Sequence, residues 1–170
     1  MANPTFVLEY ESRSFQISNS DDLESCLRDI EDLSRQHEVP VGFHLFKFHG
    51  PPSTENIKAF VYAAVGSEMS PLDYLGDAGF FRVSHEPSES CTDFLYGGQL
   101  TPVDDTQLVP ADLALQLVCK FFRQDGHLDE DFLVCLEGPD VNQEQAGRLH
   151  ETKHDDDELA VQERKKLRQK

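Results

Sequence analysis

The side chains best able to do chemistry are seven histidines and four cysteines, and their spacing limits the chemistry. His150 and His154 lie one helical turn apart beside Asp155 to Asp157, a pattern that suits a metal ion if a folded pocket surrounds it. They belong to a charged tail with few apolar residues to shape such a pocket, so we interpret them as solvated. We therefore expect no metal site and no cofactor.

The cysteines are typical of packing residues rather than nucleophiles. None forms a Cys-x-x-Cys pair, and Cys26 and Cys119 fall on the apolar faces of predicted helices. A catalytic thiol needs a base, and no histidine stands at a recognisable spacing from one. A hydrolase site would need His44, His49 or His85 to cluster with carboxylates. The residues therefore predict that the protein is not an enzyme.

Gly97-Gly98 is a structural pair in this interpretation. It lacks the GxGxxG or GxxxxGK[ST] spacing of a phosphate-binding loop, and no lysine follows within reach. We predict instead a bend at the end of a strand, where a Cβ is not tolerated.

The acidic charge belongs to the body of the chain. The net charge is −17, and residues 138–170 hold seven Lys or Arg and eight Asp or Glu, so nearly all of the excess acid lies in residues 1–137. A body with this charge repels nucleic acid and anionic membranes and attracts a basic protein. Solubility alone explains the same charge, and that alternative stays open.

Nothing in the sequence predicts a membrane protein or a secreted one. The longest apolar run, Ala59 to Val65, is far shorter than the roughly 20 residues that span a bilayer. The first residues lack the basic and then apolar pattern of a secretory signal. We expect a cytoplasmic protein.

Two amphipathic helices are predicted. Asp21 and Glu24 resemble a capping box, and apolar residues recur at helical spacing through residues 21–36. Pro110 suits the first position of a second helix that ends near Gly126, since a proline there loses no hydrogen bond.

Short apolar runs predict strands, and polar segments at residues 66–78, 86–91 and 99–107 predict loops. The predicted strands are Pro4–Tyr10, Ser14–Ile17, Pro40–Phe48, Ile57–Val65, Gly79–His85, Thr92–Tyr96 and Asp131–Glu137. The four central strands suggest an antiparallel meander. The prediction is an α+β domain over residues 1–137, with a mostly antiparallel sheet, both helices on one face and the other face partly open. Residues 138–170 are predicted to be a charged linker and a helical or disordered tail.

The order of these segments resembles one family, the Imm-one immunity proteins of bacterial polymorphic-toxin systems. The resemblance covers about residues 5–137. The motifs that carry it are Asp22–Leu27, Ile57–Val65, Gly79–Val83, Tyr96–Gly98, Leu108–Pro110, and a helix with Ala114 and Phe121-Phe122 before a turn and a closing strand.

The resemblance implies a non-catalytic intracellular antidote. Such a protein binds and neutralises a cognate bacterial toxin domain by covering its active site, and we expect that toxin to be basic and to act on nucleic acid. Loop position and charge density suggest six contact residues: Asp73, Asp77, Glu86, Glu89, Asp93 and Tyr96. The alternative is a non-catalytic adaptor or structural protein that binds an unrelated partner through the open sheet face or the tail.

Overall fold

A mostly antiparallel sheet with two helices on one face forms the body, which confirms the predicted α+β class. The computed structural model of the chain describes residues 4–83 and 86–129. The predicted strand over residues 131–137, the predicted tail over residues 138–170 and His85 lie outside the described residues.

The described residues form ten strands and two helices. The strands are β1 Thr5–Tyr10, β2 Arg13–Ile17, β3 Val41–Phe48, β4 Ile57–Val65, β5 Met69–Pro71, β6 Asp73–Gly76, β7 Gly79–Arg82, β8 Cys91–Tyr96, β9 Gln99–Asp104 and β10 Leu108–Pro110; the helices are α1 Ser20–His37 and α2 Ala111–Arg123.

The main sheet has the strand order β2-β1-β3-β4-β6-β7, with antiparallel neighbours throughout. β8 and β9 form a hairpin that joins this sheet at the start of β3, where Val41 pairs in parallel with Leu95 and the Leu95 N–H donates to the Pro40 carbonyl at 2.8 Å. The remaining strands, β5 and β10, pair with each other as a separate antiparallel ribbon.

Three sequence predictions about the sheet were wrong. The predicted loop over residues 66–78 contains β5 and β6, and the predicted polar segment over residues 99–107 contains β9. These strands have three to six residues and carry Asp73 and Pro102, so their pattern is too short and too polar to stand out. The meander also runs through β6, so β8 neighbours β3 and β9 rather than β7.

α1 begins at Ser20, one residue earlier than predicted, and its N-cap is Asn19 rather than Asp21. The Asn19 side chain accepts from the Asp22 N–H at 2.9 Å, and the Asp22 carboxylate accepts from the Ser18 N–H at 2.9 Å. The helix ends at Glu38, whose φ of 54° is left-handed. Its inward residues, Leu23, Cys26 and Ile30 among them, are buried.

α2 begins at Ala111, and Pro110 is its N-cap residue rather than its first helical residue. Pro110 still belongs to β10, where it pairs with Met69. The helix buries Ala114, Leu117, Val118 and Phe121, as the spacing of these residues predicts. Its end is closed by Gly126, whose N–H donates to the Phe121 carbonyl at 2.7 Å with φ at 80°.

The two faces of the sheet have different partners. Leu8, Phe43, Leu45 and Val61 face the buried sides of α1 and α2 and form one core with them, which confirms that both helices lie on one face. No helix in the described part of the chain covers the other face. Neither helix is long and apolar enough to cross a membrane within residues 4–83 and 86–129.

Candidate functional site: an aromatic groove on the open sheet face

Cross-strand register sorts the open face into two parallel rows, because residues directly opposite each other in antiparallel strands share a face. The polar row runs from β2 to β7 through Ser14, Glu9, His44, Tyr62, Asp73 and Arg82. The apolar row beside it runs through Gln16, Val7, Phe46, Phe60, Leu75 and Phe80.

The β8–β9 hairpin forms a wall on this face. Phe94 is fully buried against Ala64 and Leu108, with Val103 packed beside it, and this small cluster fixes the hairpin. Tyr96 is on the same side of β8 as Phe94, so its ring reaches the rings of His44 and Tyr62.

Between the wall and the rows lies a groove of about 440 Å³, which we call the aromatic groove. Its lining residues are His44, Phe60, Tyr62, Pro71, Asp73, Phe80, Arg82, Tyr96, Thr101, Pro102, Val103 and Gln107.

Ring contacts organise the floor of the groove. His44 stacks on Phe46 with centroids 5.1 Å apart and an interplanar angle of 8°, and Phe60 meets both rings edge-on. Tyr62 lies across Gly42, where a Cβ would overlap with its hydroxyl. A glycine at position 42 therefore leaves room for Tyr62, whose ring lies 4.7 Å from that of His44 and is tilted to it by 33°.

One end of the groove holds a paired charge. The Arg82 guanidinium donates from Nε and Nη2 to the two Asp73 oxygens at 2.8 and 2.6 Å, and it also lies 5.3 Å from the Phe80 ring centroid. The Asp73 side chain is only 13% exposed. Hydrogen bonding to Asp73 raises the pKa of Arg82, partly offset by desolvation. This end of the groove is therefore electrically neutral.

His44 is a neutral imidazole at physiological pH. Burial among the rings lowers its pKa to about 4, and its Nδ1 has no hydrogen-bond partner among the described residues. The ring contacts of His44 are with Phe46, Phe60, Tyr62 and Tyr96. This surrounding suits an aromatic packing residue, not a histidine activated as a base.

The other end of the groove is flanked by acid. Burial is the main cause that raises the pKa of Tyr96, and the charges of Glu9 and Glu11 raise it further. Glu9 lies directly across from His44, and the Glu11 carboxylate accepts from the Gly98 N–H at 2.8 Å. Tyr96 therefore lies between the aromatic floor and two carboxylates.

The glycine pair that follows Tyr96 forms the predicted bend, a two-residue hairpin turn. The reason that glycine is favoured there differs from the predicted one. Gly97 and Gly98 have φ values of 58° and 76°, and a Cβ at either position would meet no atom within 4 Å. The left-handed backbone of the two-residue turn, rather than crowding, is what favours glycine.

Two of the six predicted contact residues line the aromatic groove and four do not. Asp73 and Tyr96 lie at its two ends, but the Asp73 charge is neutralised by Arg82. The other four are exposed outside it: Asp77 in the β6–β7 turn, Glu86 and Glu89 in the loop before β8, and Asp93 on β8.

The loop that carries Glu86 and Glu89 is held by β9. Asp104 accepts from the Ser88 N–H at 2.8 Å, and Asp105 accepts from the Thr92 hydroxyl at 2.7 Å. Hydrogen bonds from Thr106, and then from Ser88, lower the pKa of Asp104 to about 2. Asp104 therefore helps to order the loop, and it also caps the short 3₁₀ helix Asp105–Gln107.

The groove residues His44, Phe60, Tyr62, Phe80 and Arg82 were missed in the sequence. The sequence pattern of β3 and β4 could have indicated the groove. Apolar residues occupy both faces of these strands, although the helices cover only one face of the sheet. Nothing in the sequence indicated that Arg82 lies in a groove, because its partner Asp73 belongs to a strand, β6, that was not predicted.

A second depression is larger, at about 790 Å³, and lies between α1 and the β4–β5 turn. Its two arginines are exposed and already paired on α1, Arg28 with Glu24 at 3.3 Å and Arg35 with Glu31 at 2.8 Å. Among residues 4–83 and 86–129, no three His, Cys, Asp or Glu side chains group as a metal site would require.

Comparison of the chain with protein-family models, with curated proteins and with solved structures gives no match.

Proposed function

We propose that this protein is a non-catalytic binding protein that captures a partner protein on the open sheet face. The observation that carries the proposal is the aromatic groove, in which His44, Phe60, Tyr62, Phe80 and Tyr96 line one uncovered concave surface. Aromatic side chains are enriched at the centres of protein interfaces, where they supply large apolar contact at low entropic cost.

We further propose that the partner is a cognate toxin domain and that the protein is its immunity protein. This follows the resemblance drawn from the sequence. The acidic body supports a basic partner, because opposite charge speeds the encounter of two proteins and disfavours partners of like charge. A toxin domain that acts on nucleic acid carries basic residues at its active site, and such a surface complements this one.

The experiment is co-expression with a toxin domain encoded next to the gene, followed by co-purification, a toxin activity assay and stopped-flow association. We expect a stoichiometric inactive complex, with an association rate toward about 10⁸ M⁻¹s⁻¹ at low salt that falls as salt is added. Phe60→Ala should weaken the complex by about tenfold or more, because a half-buried aromatic anchor of the groove is lost. Asp21→Asn on α1, at the opposite face of the sheet, is the matched control.

Three results contradict the proposal: no complex, a complex in which the toxin stays active, or an association rate that is flat from low to high salt. A flat association rate contradicts only the proposal that opposite charge speeds the encounter, and leaves the proposed complex itself intact. A stable complex with a neighbouring gene product that is not a toxin supports the alternative, a non-catalytic adaptor that uses the same open face.

A further inference from the structure

We propose that Tyr96, together with Glu9 and Glu11, receives an arginine side chain of the partner at the acidic end of the aromatic groove. The inference rests on the proposed function only in requiring a protein partner, and it adds the chemistry of the anchor. Arginine is the side chain that stacks on an aromatic face and pairs with carboxylates at the same time.

Tyr96 offers a ring that is supported on one side and exposed on the other. Its ring centroid is 5.2 Å from that of His44 and 5.6 Å from that of Tyr62, so the ring is held in place. The residue is nevertheless 36% exposed, and among the described residues only Met69 and Leu100 are also large, hydrophobic and exposed. An exposed ring with a fixed orientation is a ready platform for a planar cation.

A cleft beside the ring connects it to the two carboxylates. The cleft measures about 280 Å³ and is lined by Glu9, Glu11, Arg13, Tyr96 and their neighbours in the β1–β2 hairpin. This volume is ample for a guanidinium group. Tyr96 lines both this cleft and the aromatic groove, so one partner segment can reach both.

The carboxylates in this cleft keep free acceptor capacity. Glu9 accepts from the Ser14 hydroxyl at 3.1 Å, and Glu11 accepts from the Gly98 N–H through one oxygen only. The second Glu11 oxygen is buried and has no hydrogen-bond partner among the described residues, and neither carboxylate forms an ion pair with another of them. A poorly compensated carboxylate oxygen gains from an incoming cation.

The local charge favours this end of the aromatic groove over the other as the place for an arginine side chain. Arg13 is the cation nearest the cleft, and its guanidinium lies over the Tyr10 ring, 6.0 Å from its centroid. Glu9, Glu11 and Arg13 together leave a negative charge at Tyr96. At the opposite end Arg82 already covers Phe80 and neutralises Asp73, so a second guanidinium there would meet a like charge.

The test is an NMR titration of the full chain with two probes of the same shape, N-acetylarginine amide and N-acetylcitrulline amide, of which only the first is charged. We expect the arginine probe to shift the amide signals of Tyr96 and Gly98 and to bind at least about fivefold more tightly than the citrulline probe. Tyr96→Leu and Glu11→Gln should each weaken the arginine probe by about fivefold, and Tyr96→Phe should keep its affinity.

Equal affinity for the two probes, shifts confined to other parts of the protein, or unchanged affinity in Tyr96→Leu would each overturn the inference. A toxin complex whose Kd stays within about twofold in both Tyr96→Leu and Glu11→Gln would overturn it while leaving the proposed function intact. Selective binding of the arginine probe together with failure to find any toxin complex would instead support the inference and contradict the immunity role.

Discussion

Arg82 and Asp73 form an ion pair that stabilises the fold, although both residues line the aromatic groove. Both side chains leave neighbouring strands at directly opposed positions, and their two hydrogen bonds close the groove at one end. The pair orients the Asp73 carboxylate away from any partner. Asp73, which the sequence suggested as a contact for a partner, therefore pairs instead with Arg82 on the neighbouring strand.

Replacement of Arg82 by methionine should destabilise the protein by about 1–3 kcal/mol, because the mostly buried Asp73 carboxylate would lose its partner. Urea unfolding measures this loss. The control is the double variant Asp73→Leu with Arg82→Met, which should recover much of the stability, since no unpaired charge remains. A single variant as stable as the parent would show that the pair contributes nothing.

At the scale of elements, the start of α1 offers a matched comparison. Asn19→Ala should cost about 1 kcal/mol, because the Asp22 N–H loses the side chain that caps it. Asp21→Ala, at the residue that the sequence suggested as the cap, should change the free energy of unfolding by much less. Chemical denaturation of the two variants distinguishes the positions, and equal losses would contradict the assignment of Asn19.

The loop over residues 86–90 should respond to acid through Asp104. Its pKa lies at about 2 in the folded protein, below its ordinary value of 3.8, because the ionised form accepts hydrogen bonds from Thr106 and Ser88. The stabilisation is therefore complete above about pH 4 and is lost as the pH falls toward 2. The Ser88 amide signal should shift across this window in NMR spectra.

Two variants decide whether Asp104 causes that shift. Asp104→Asn should abolish it, whereas Asp105→Asn, which alters the neighbouring contacts to Ser90 and Thr92, should retain it. A shift that survives in Asp104→Asn would assign the response to another carboxyl group.

Long, strongly patterned elements were predictable and short ones were not. The alternating runs of β3 and β4 and the helical periodicity of α1 and α2 each repeat enough to indicate the element, so their bounds fall within a few residues of prediction. β6 and β9 could not be found in the same way, because pairing with the neighbouring strands β4, β7 and β8 stabilises them more than their own composition does.

The candidate site was predictable only in part for a related reason. Tyr96 and the open sheet face were expected from the sequence, and both belong to the aromatic groove. The groove itself depends on the register between strands, which places His44, Tyr62 and Asp73 in one row although they are distant in the chain. The spacing of residues within one strand does not reveal which residues of another strand lie opposite.

At the scale of the whole molecule, the sheet separates the main core from the surface proposed for binding. The face under α1 and α2 holds the main core, and the opposite face carries the aromatic groove. Substitutions at exposed groove positions such as Tyr96 are therefore expected to change affinity more than the free energy of unfolding. The proposals above depend on this separation, since a groove variant that unfolds reports nothing about binding.

The attachment of the β8–β9 hairpin has a consequence for how such a protein diversifies. The hairpin pairs with the main sheet at Val41 and Leu95, and a small cluster around Phe94, separate from the main core, packs it in place. Tyr96, through its ring contacts, and Gly98, through its hydrogen bond to Glu11, add further attachments. Its remaining outward positions are free to vary without disturbing either helix. A lineage that must follow a changing partner can therefore explore new specificities by altering one short hairpin while the rest of the chain is inherited intact.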